Sequence, residues 1–585
     1  MKQLFREMKP QRRDMILAPL FKMLEAGLNL RVPLLMKEMM DEAIPAAMAG
    51  EGNGLVWFVG VELFLDGLFG FLLAVAAQYF AARAATGYSA RLRELLFGKI
   101  QSLRYEELDS AGTSLLITRM TSDCDQVQNG LNLALRLLLR SPFIVFGAMI
   151  LAFTIDTKAA LIFAVLIPIL LVITFAVMLR MAPLYRKVQK RLDRVTQDTR
   201  ENLSGVRVIR AFRNERGEIH EFIENHENLK GFQLAVGRIS AILNPATTLL
   251  LNASVLLLIY VGGVRVNMGV LTQGAVVALV NYMLQILVEL IKLANLVIQI
   301  TRAYASLKRI SEVTSMESEA RVEGTVNSGA ENEGVPAFTE APSVRFEHVS
   351  LTYQGAGEAA LSDLSFDAKG GEKIAVIGGT GSGKTTLVSL IPGYYRATEG
   401  EILLDGKPLS AYDERSLRQS VRTVFQKAVL FSGTIRENLC FGLTEEEEQK
   451  ITDEELYEAL RASDAYDVVM EKGGLLGPCE QGGRNFSGGQ RQRLTIARAL
   501  VSKPRLLILD DSSSALDFAT DAKIRANLAA LPWNMTVFTV TQRAATAMHQ
   551  DRILVLDEGR LVGEGTHEEL IENCPVYREI VESQT

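Results

Sequence analysis

The sequence predicts a multidomain chain of two unlike halves: an all-α domain of six membrane-spanning helices, then an α/β domain carrying a glycine-rich loop. Three observations predict it. Six apolar segments long enough to cross a bilayer lie before residue 305. Beyond residue 343, short apolar runs of strand character alternate with helical stretches. Between the two, the composition turns to Glu, Gly, Ser and Pro and apolar periodicity is lost. The expected boundaries are 1–312 for the membrane domain, 313–342 for a flexible linker and 343–585 for the α/β domain.

Composition supports a divided chain. A length of 585 residues exceeds what one core holds. Hydrophobic residues make up 48% and mean hydropathy is +0.15, an average over a very apolar part and an ordinary soluble part. The net charge of −6 shows no basic excess, so no nucleic-acid partner is expected. Cys124, Cys440, Cys479 and Cys574 lie far apart without metal-ligand spacing and read as reduced thiols. The stretch from Met1 to Arg13 is polar and basic, and no signal peptide is expected there.

The expected spans are Met15–Ile44, Leu55–Arg83, Arg136–Thr154, Ala159–Met181, Ile239–Val261 and Gln273–Ile300. Loops after the first, third and fifth hold no cation, Lys158 and Arg265 respectively. The long connections 84–135 and 182–238 are rich in Arg and Lys, as at Arg186, Lys187, Lys190, Arg191 and Arg194. Positive charge on that side predicts a multi-pass protein of the cell (plasma or inner) membrane with both termini cytoplasmic. Both connections read as helical continuations of the spans. Each contains an amphipathic piece suited to dock into a soluble domain, Ser114–Met120 and Leu203–Phe212.

On the last span Asn281, Gln285, Glu289, Lys292, Asn295 and Gln299 share one helical face. Lipid would penalise that face by several kcal/mol, so it must meet protein or water. Lys22, Glu25 and Asn29 repeat the pattern on the first span, and Glu62 and Asp66 on the second. Six aligned positions predict a water-filled pathway lined by Lys22, Glu25, Asn29, Asn281, Gln285, Glu289, Lys292 and Asn295. Interhelical hydrogen bonding is the competing explanation. The charges among these groups, with Glu62 and Asp66, sum to −2 and lean towards amphipathic or cationic cargo. Prolines 19, 33, 142, 168 and 245 are expected to kink the helices around such a cavity.

In the second half, strands are expected at Val344–Phe346, Ile374–Ile377, Arg422–Phe425, Arg505–Leu509, Thr536–Val540 and Ile553–Leu556, in a largely parallel sheet. After Ile377 comes Gly378-Gly379-Thr380-Gly381-Ser382-Gly383-Lys384-Thr385-Thr386, which fits G-x-x-x-x-G-K-[ST] between a strand and a helix. The glycines let backbone N–H groups converge on phosphate oxygens at a helix N-terminus. Lys384 can then reach the β- and γ-phosphates of a nucleoside triphosphate, and Thr385 can ligate Mg²⁺. The apolar run Arg505–Leu509 ends in Asp510, a further Mg²⁺ ligand. Ser487-Gly488-Gly489-Gln490 opens another helix and makes a second anion site. One domain needs a single γ-phosphate cradle, so the second implies that another domain's nucleotide docks there.

Taken together these residues resemble a half-transporter of the ATP-binding cassette (ABC) exporters, and the likeness covers nearly the whole chain. It is carried by Gly378–Thr386, Gln426 after Val424-Phe425, Ser487–Gln490, Asp510 and Ser514-Ala515-Leu516-Asp517. The resemblance implies a type I exporter fold and an ATPase coupled to outward transport of drugs, lipids or peptides. It also implies that Tyr353 stacks on adenine, that Gln426 senses Mg²⁺ and the γ-phosphate, and that the two amphipathic pieces are coupling helices, the second reaching a partner's ATPase domain. Two ATPase domains would pair head to tail across their nucleotides.

The sequence departs from the family at two positions. Asp511 stands where the family has a glutamate that polarises the attacking water, and its carboxylate sits one C–C bond, ~1.5 Å, further back. A misplacement of about 1 Å can cost on the order of 10²-fold in rate. Gln542 stands where the family has a histidine at the γ-phosphate, and it cannot carry an imidazolium charge. With Gln426, these form the expected catalytic set. The combination implies a site kept for binding, in a heterodimer whose partner carries Glu and His at the positions of Asp511 and Gln542. Alternatives are a homodimer with two slow sites, or an ATP-gated regulatory or channel-like membrane protein.

Overall fold

A computed structural model describes Leu4 and residues 6–316 and 338–584, so most of the expected linker, 317–337, lies outside the described residues. The chain divides into two compact units, one of Met1–Gln101 with Thr113–Met316, the other of Ser102–Gly112 with Glu317–Thr585.

The first unit is helical, and all six expected spans fall within its helices. The helix Arg12–Glu38 is carried on by turns to Met48, and it is followed by Gly54–Gln101, Cys124–Leu137, Arg140–Ile155, Thr157–Ala211, Glu215–Asn267 and Gln273–Ser315. Helices of 43 to 55 residues are about 65–80 Å long, over twice the hydrocarbon thickness of a bilayer. Among the described residues, four helical segments are long and apolar enough to cross a membrane: Gly54–Gln101, Thr113–Ile155, Glu215–Asn267 and Gln273–Ser315. Thr157–Ile173 is a shorter apolar stretch of the same kind. Pro19, Pro33, Pro168 and Pro245 lie inside helices. Pro142 is different: it falls in the first turn of Arg140–Ile155, where a helix needs no backbone N–H, so it starts the helix and does not kink it.

The apolar core of this unit joins Leu30, Ile144, Val145, Phe163, Leu279, Tyr282, Met283 and Ile286. Beside it, the polar stripe proves to be largely paired. Glu289 is 3% exposed and accepts from Arg140 Nη1 at 2.5 Å, Ser141 Oγ at 2.7 Å and Lys292 Nζ at 2.9 Å. Glu25, also buried, pairs with Lys22 and lies 3.6 Å from Arg140. For Lys22, Glu25 and Glu289 the wet-pathway expectation is therefore corrected: they tie the first, third and last spans together. A buried carboxylate is tolerated where cations and hydroxyl donors satisfy its oxygens, and here they do.

Arg31 likewise bridges Glu62 at 2.9 Å and Asp66 at 3.2 Å. Arg31 and Arg140 set two positive charges among these groups, which cancels the −2, so the lean towards cationic cargo lapses. Asn281 donates to its own helix at Val277 O (3.0 Å), and Gln285 Nε2 lies 3.4 Å from Asn29 O. Lys292 keeps 42% of its side chain exposed, and Asn295 is exposed as well. Cysteines at 292 and 295 are accordingly expected to react with a membrane-impermeant thiol reagent, while those at 286 and 290, on buried positions, stay protected. The four native cysteines are all buried, so their background is low. Equal labelling at all four engineered positions would refute the assignment of faces.

Among the described residues the second unit has twelve strands. They are β1 Val344–Leu351, β2 Leu361–Ala368, β3 Lys373–Gly378, β4 Glu399–Leu404, β5 Lys407–Pro408, β6 Val421–Val424, β7 Gly433–Thr434, β8 Pro478–Cys479, β9 Leu506–Asp510, β10 Thr536–Val540, β11 Arg552–Asp557 and β12 Arg560–Gly565. The central sheet runs β12-β11-β3-β10-β9-β6, parallel except where β12 returns antiparallel along β11. Its inner strands are continuous apolar runs because both faces are covered, which is why they were legible in the sequence. Of a second, antiparallel sheet, β2-β1-β4-β5, the sequence predicts β1 alone. In β2 the buried Leu364, Phe366 and Ala368 alternate with Ser and Asp, so the strand reads as half polar.

One short helix corrects the docking assignment. Tyr105–Ala111 belongs to the second unit. Tyr105 stacks on Tyr394 with ring centroids 4.5 Å apart, the Tyr395 hydroxyl donates to Asp109, and the Arg396 N–H donates to Glu106 at 3.3 Å. The expected first docking piece, Ser114–Met120, lies in the first unit, where it leads into the turn that carries Asp123 to Arg309. Within this unit the helix is held by aromatic stacking and two carboxylates, features that apolar periodicity does not report. The second expected piece ends the helix Thr157–Ala211, with Leu203, Val208 and Phe212 exposed.

Candidate functional site

β3 delivers the chain to Gly378 at the C-terminal edge of the parallel sheet, the edge where such sheets bind ligands. Two glycines here are obligatory. A Cβ on Gly378 would lie 2.1 Å from Leu556 O, and Gly383 combines φ +94° with a Cβ position 2.9 Å from Ala360 O. Gly383 then opens the helix Lys384–Leu390. Lys384 is buried, and its Nζ donates to Gly378 O at 3.0 Å, Gly379 O at 2.5 Å and Ser382 Oγ at 3.3 Å. The loop is thus already curled around its amine. Burial pulls the Lys384 pKa down, while Asp511 and Asp510 oppose the shift.

The neighbouring oxygens converge on the same place. Thr385 Oγ1 donates to Asp510 Oδ1 at 2.9 Å, and Gln426 Nε2 donates to Asp511 Oδ2 at 3.0 Å. Both carboxylates are buried, which raises their pKa values; Thr385 opposes this for Asp510, and Gln426 for Asp511. Asp511 also sits at φ +45°, a left-handed conformation costly for a residue with a side chain. The Tyr353 hydroxyl lies 3.1 Å from Thr386 Oγ1, and its ring meets Tyr395 edge-on at 5.3 Å.

Gln542 is exposed at the end of β10, and its carbonyl accepts from Gln584 Nε2 at 2.7 Å. Ser487 caps the helix Gly488–Val501 through a reciprocal pair: Gln490 N–H donates to Ser487 Oγ (3.3 Å), and Ser487 N–H donates to Gln490 Oε1 (2.9 Å). Gln490 therefore shapes the turn with its carbonyl oxygen. Gly488 is open around a would-be Cβ, while one on Gly489 would lie 3.0 Å from Ala515 O.

The structure thus brings Tyr353, Lys384, Thr385, Thr386, Gln426, Asp510 and Asp511 into one cluster. Among the described residues no hydrogen bond joins Ser487–Gln490 to it. Sequence reading missed Tyr395, Arg543 and Gln492. Gln492 is 1% exposed and donates to Phe425 O at 3.2 Å, fixing the backbone beside Gln426. Gln492 lies two residues past a named motif, the one signal that pointed towards it.

ATP with Mg²⁺ fits these residues. The amine, the glycine-lined turn and the helix N-terminus suit a polyphosphate, and Thr385, Asp510 and Gln426 offer oxygens to a hard cation. Among the described residues no group of three or more His, Cys, Asp or Glu could hold a metal ion by itself.

An α/β ATPase domain of this kind, in a chain whose other unit is a bundle of membrane-length helices, defines an ATP-driven membrane transporter. Residues 15–290 match the ABC transporter transmembrane region, and residues 361–514 match the ABC transporter domain. An uncharacterized ABC transporter ATP-binding protein of Mycobacterium tuberculosis is 35% identical over 577 residues, 99% of this chain and 97% of that protein. An ATP-dependent lipid A-core flippase of Hahella chejuensis is 32% identical, covering 90% of this chain and 87% of that one. A putative multidrug export ATP-binding/permease protein of Bacillus subtilis, YgaD, is 30% identical, with 99% and 98% covered. A bacterial Atm1-family ABC exporter solved with ATP bound has the same fold, with a TM-score of 0.77 at 22% identity over 98% of each chain. The chain belongs to the ABC transporters. It has the type I exporter architecture of a helical membrane domain followed by an ATPase domain, and it uses ATP with Mg²⁺ for coupled translocation.

Proposed function

We propose that this chain is one subunit of a heterodimeric exporter that moves amphipathic molecules, of the lipid or drug class, out across the cell membrane. Both termini face the cytoplasm in this reading, which the Arg- and Lys-rich connections support. Its own nucleotide site chiefly binds ATP, while its Ser487–Gln490 turn completes a working site on the partner, which supplies Glu and His at the positions of Asp511 and Gln542. Amphipathic cargo is supported by the flippase and multidrug-type relatives. Lys292 and Asn295, with Asn29, Asn281 and Gln285, remain the candidate lining residues; the partner would line the rest.

One observation carries the asymmetric reading. Asp511 is a carbon shorter than glutamate, and its Oδ2 is held by Gln426 at 3.0 Å. A carboxylate both set back and tied down is badly placed to orient a water. The Ser487 turn, by contrast, is fully formed.

Two substitutions in the same domain are therefore expected to have unequal effects when each is co-expressed with the wild-type partner. Gly488→Asp introduces a carboxylate where open space receives it, so it tests charge and not folding. Repulsion of the partner's γ-phosphate should lower ATP turnover by at least about 10²-fold. Asp511→Asn should lower it less than about threefold, since the group it alters does little of the chemistry. ATPase rates of the two assembled mutants decide the matter. Near-complete loss in both would make Asp511 the working base and favour a homodimer.

A further inference from the structure

Gln584 lies two residues beyond the helix Pro575–Glu582 and reaches the loop that carries Gln542. Its carboxamide uses both ends. Nε2 donates to Gln542 O at 2.7 Å, and Oε1 accepts from the Ala544 N–H at 2.8 Å. The two bonds straddle Arg543 and fix the peptide groups on either side of it.

Both sides of this contact are anchored. Tyr577, fully buried in the helix, has its hydroxyl 2.8 Å from His567 Nδ1 and packs in a cluster with Ala375, Ile377 and Val555. Ile377 immediately precedes Gly378, so the helix is rooted on the strand that delivers the phosphate loop. Arg543 is held from the opposite direction. Its N–H donates to Thr541 Oγ1 at 3.0 Å, its Nη2 donates to Leu516 O at 2.9 Å, and its guanidinium lies 4.7 Å from the centroid of the Phe518 ring. Thr541–Ala544 is thus pinned between the Ser514–Phe518 segment and Gln584, while the Gln542 side chain is left exposed.

We propose that Gln584 is a positioning residue of the nucleotide site. By holding the carbonyl of Gln542 and the amide of Ala544 it sets the direction in which Gln542 leaves the backbone, and so how firmly the loop closes on a bound triphosphate. The inference rests on the reading that Gln542 faces the nucleotide. Because Gln584 is itself exposed, its bonds compete with water, and the expected effect is moderate: about five- to tenfold in nucleotide retention.

The test uses the assembled transporter, with the partner's phosphate-loop lysine replaced so that a fluorescent ATP analogue reports on this chain's site. Gln584→Ala removes both bonds. Gln584→Glu keeps an acceptor for Ala544 but places a carboxylate oxygen against the carbonyl of Gln542. Release of the analogue is expected to quicken about five- to tenfold in both variants, with the unfolding temperature unchanged. In the otherwise wild-type heterodimer, steady-state ATPase measures the alternative. If Asp511 were the working base, Gln584→Ala would instead lower kcat at constant KM; the binding-site reading would then fail while the positioning role stands. Unchanged release together with unchanged kcat would overturn the proposal, as would a faster release that only accompanies a lower unfolding temperature.

Discussion

Replacing Asp511 by glutamate and Gln542 by histidine together is expected to raise ATP turnover at this chain's own site by about 10²-fold. The glutamate moves the carboxylate forward by one carbon from the position at which Gln426 Nε2 now holds Asp511 Oδ2 at 3.0 Å. Histidine adds a cationic donor at the exposed position after Thr541, where a developing negative charge on phosphate would be stabilised. The rest of the site needs no change: Lys384 is already held by Gly378 O, and Thr385 by Asp510. The measurement is steady-state ATPase with the partner's own phosphate loop inactivated, so that only this site contributes. Asp511→Glu alone should recover part of the gain. No gain from the double substitution would mean that these two positions do not limit the site, and the asymmetric account would lose its physical cause.

A second large effect is expected in the membrane unit. Glu289→Ala should destabilise it by about 3 kcal/mol, because Arg140, Ser141 and Lys292 all lose their acceptor in a low-dielectric setting. Arg140 would retain Glu25 at 3.6 Å, too long for a strong replacement bond. Lys292→Met, which removes a partner that is 42% exposed, should cost under about 1 kcal/mol. Thermal unfolding of the detergent-purified chain compares them, with a fall of about 5 °C or more expected for Glu289→Ala. If Lys292→Met were as damaging as Glu289→Ala, the buried pairing with Arg140 would not be the dominant contact.

The sequence by itself determined the chemistry of each half, because local rules govern both. A bilayer demands long apolar helices whatever they pack against, and the six spans could be placed from that demand alone. A phosphate demands converging N–H groups, which need Gly378, Gly381 and Gly383 at fixed spacing before Lys384 and Thr385. Buried parallel strands such as β3, β9 and β10 show as unbroken apolar runs.

The tertiary structure alone decided how side chains distant in sequence pair. Arg140 meets Glu289 across 149 residues, Tyr395 meets Asp109 across 286, and Gln584 meets Gln542 across 42. Periodicity shows that Glu289 lies on a polar face of its helix. It does not show whether water or Arg140 fills the space opposite, since both relieve the same electrostatic penalty. The first docking helix was misplaced for a related reason: Tyr105, Glu106 and Asp109 have no apolar period, and their use as a contact depends on Tyr394, Tyr395 and Arg396 arriving from another part of the fold.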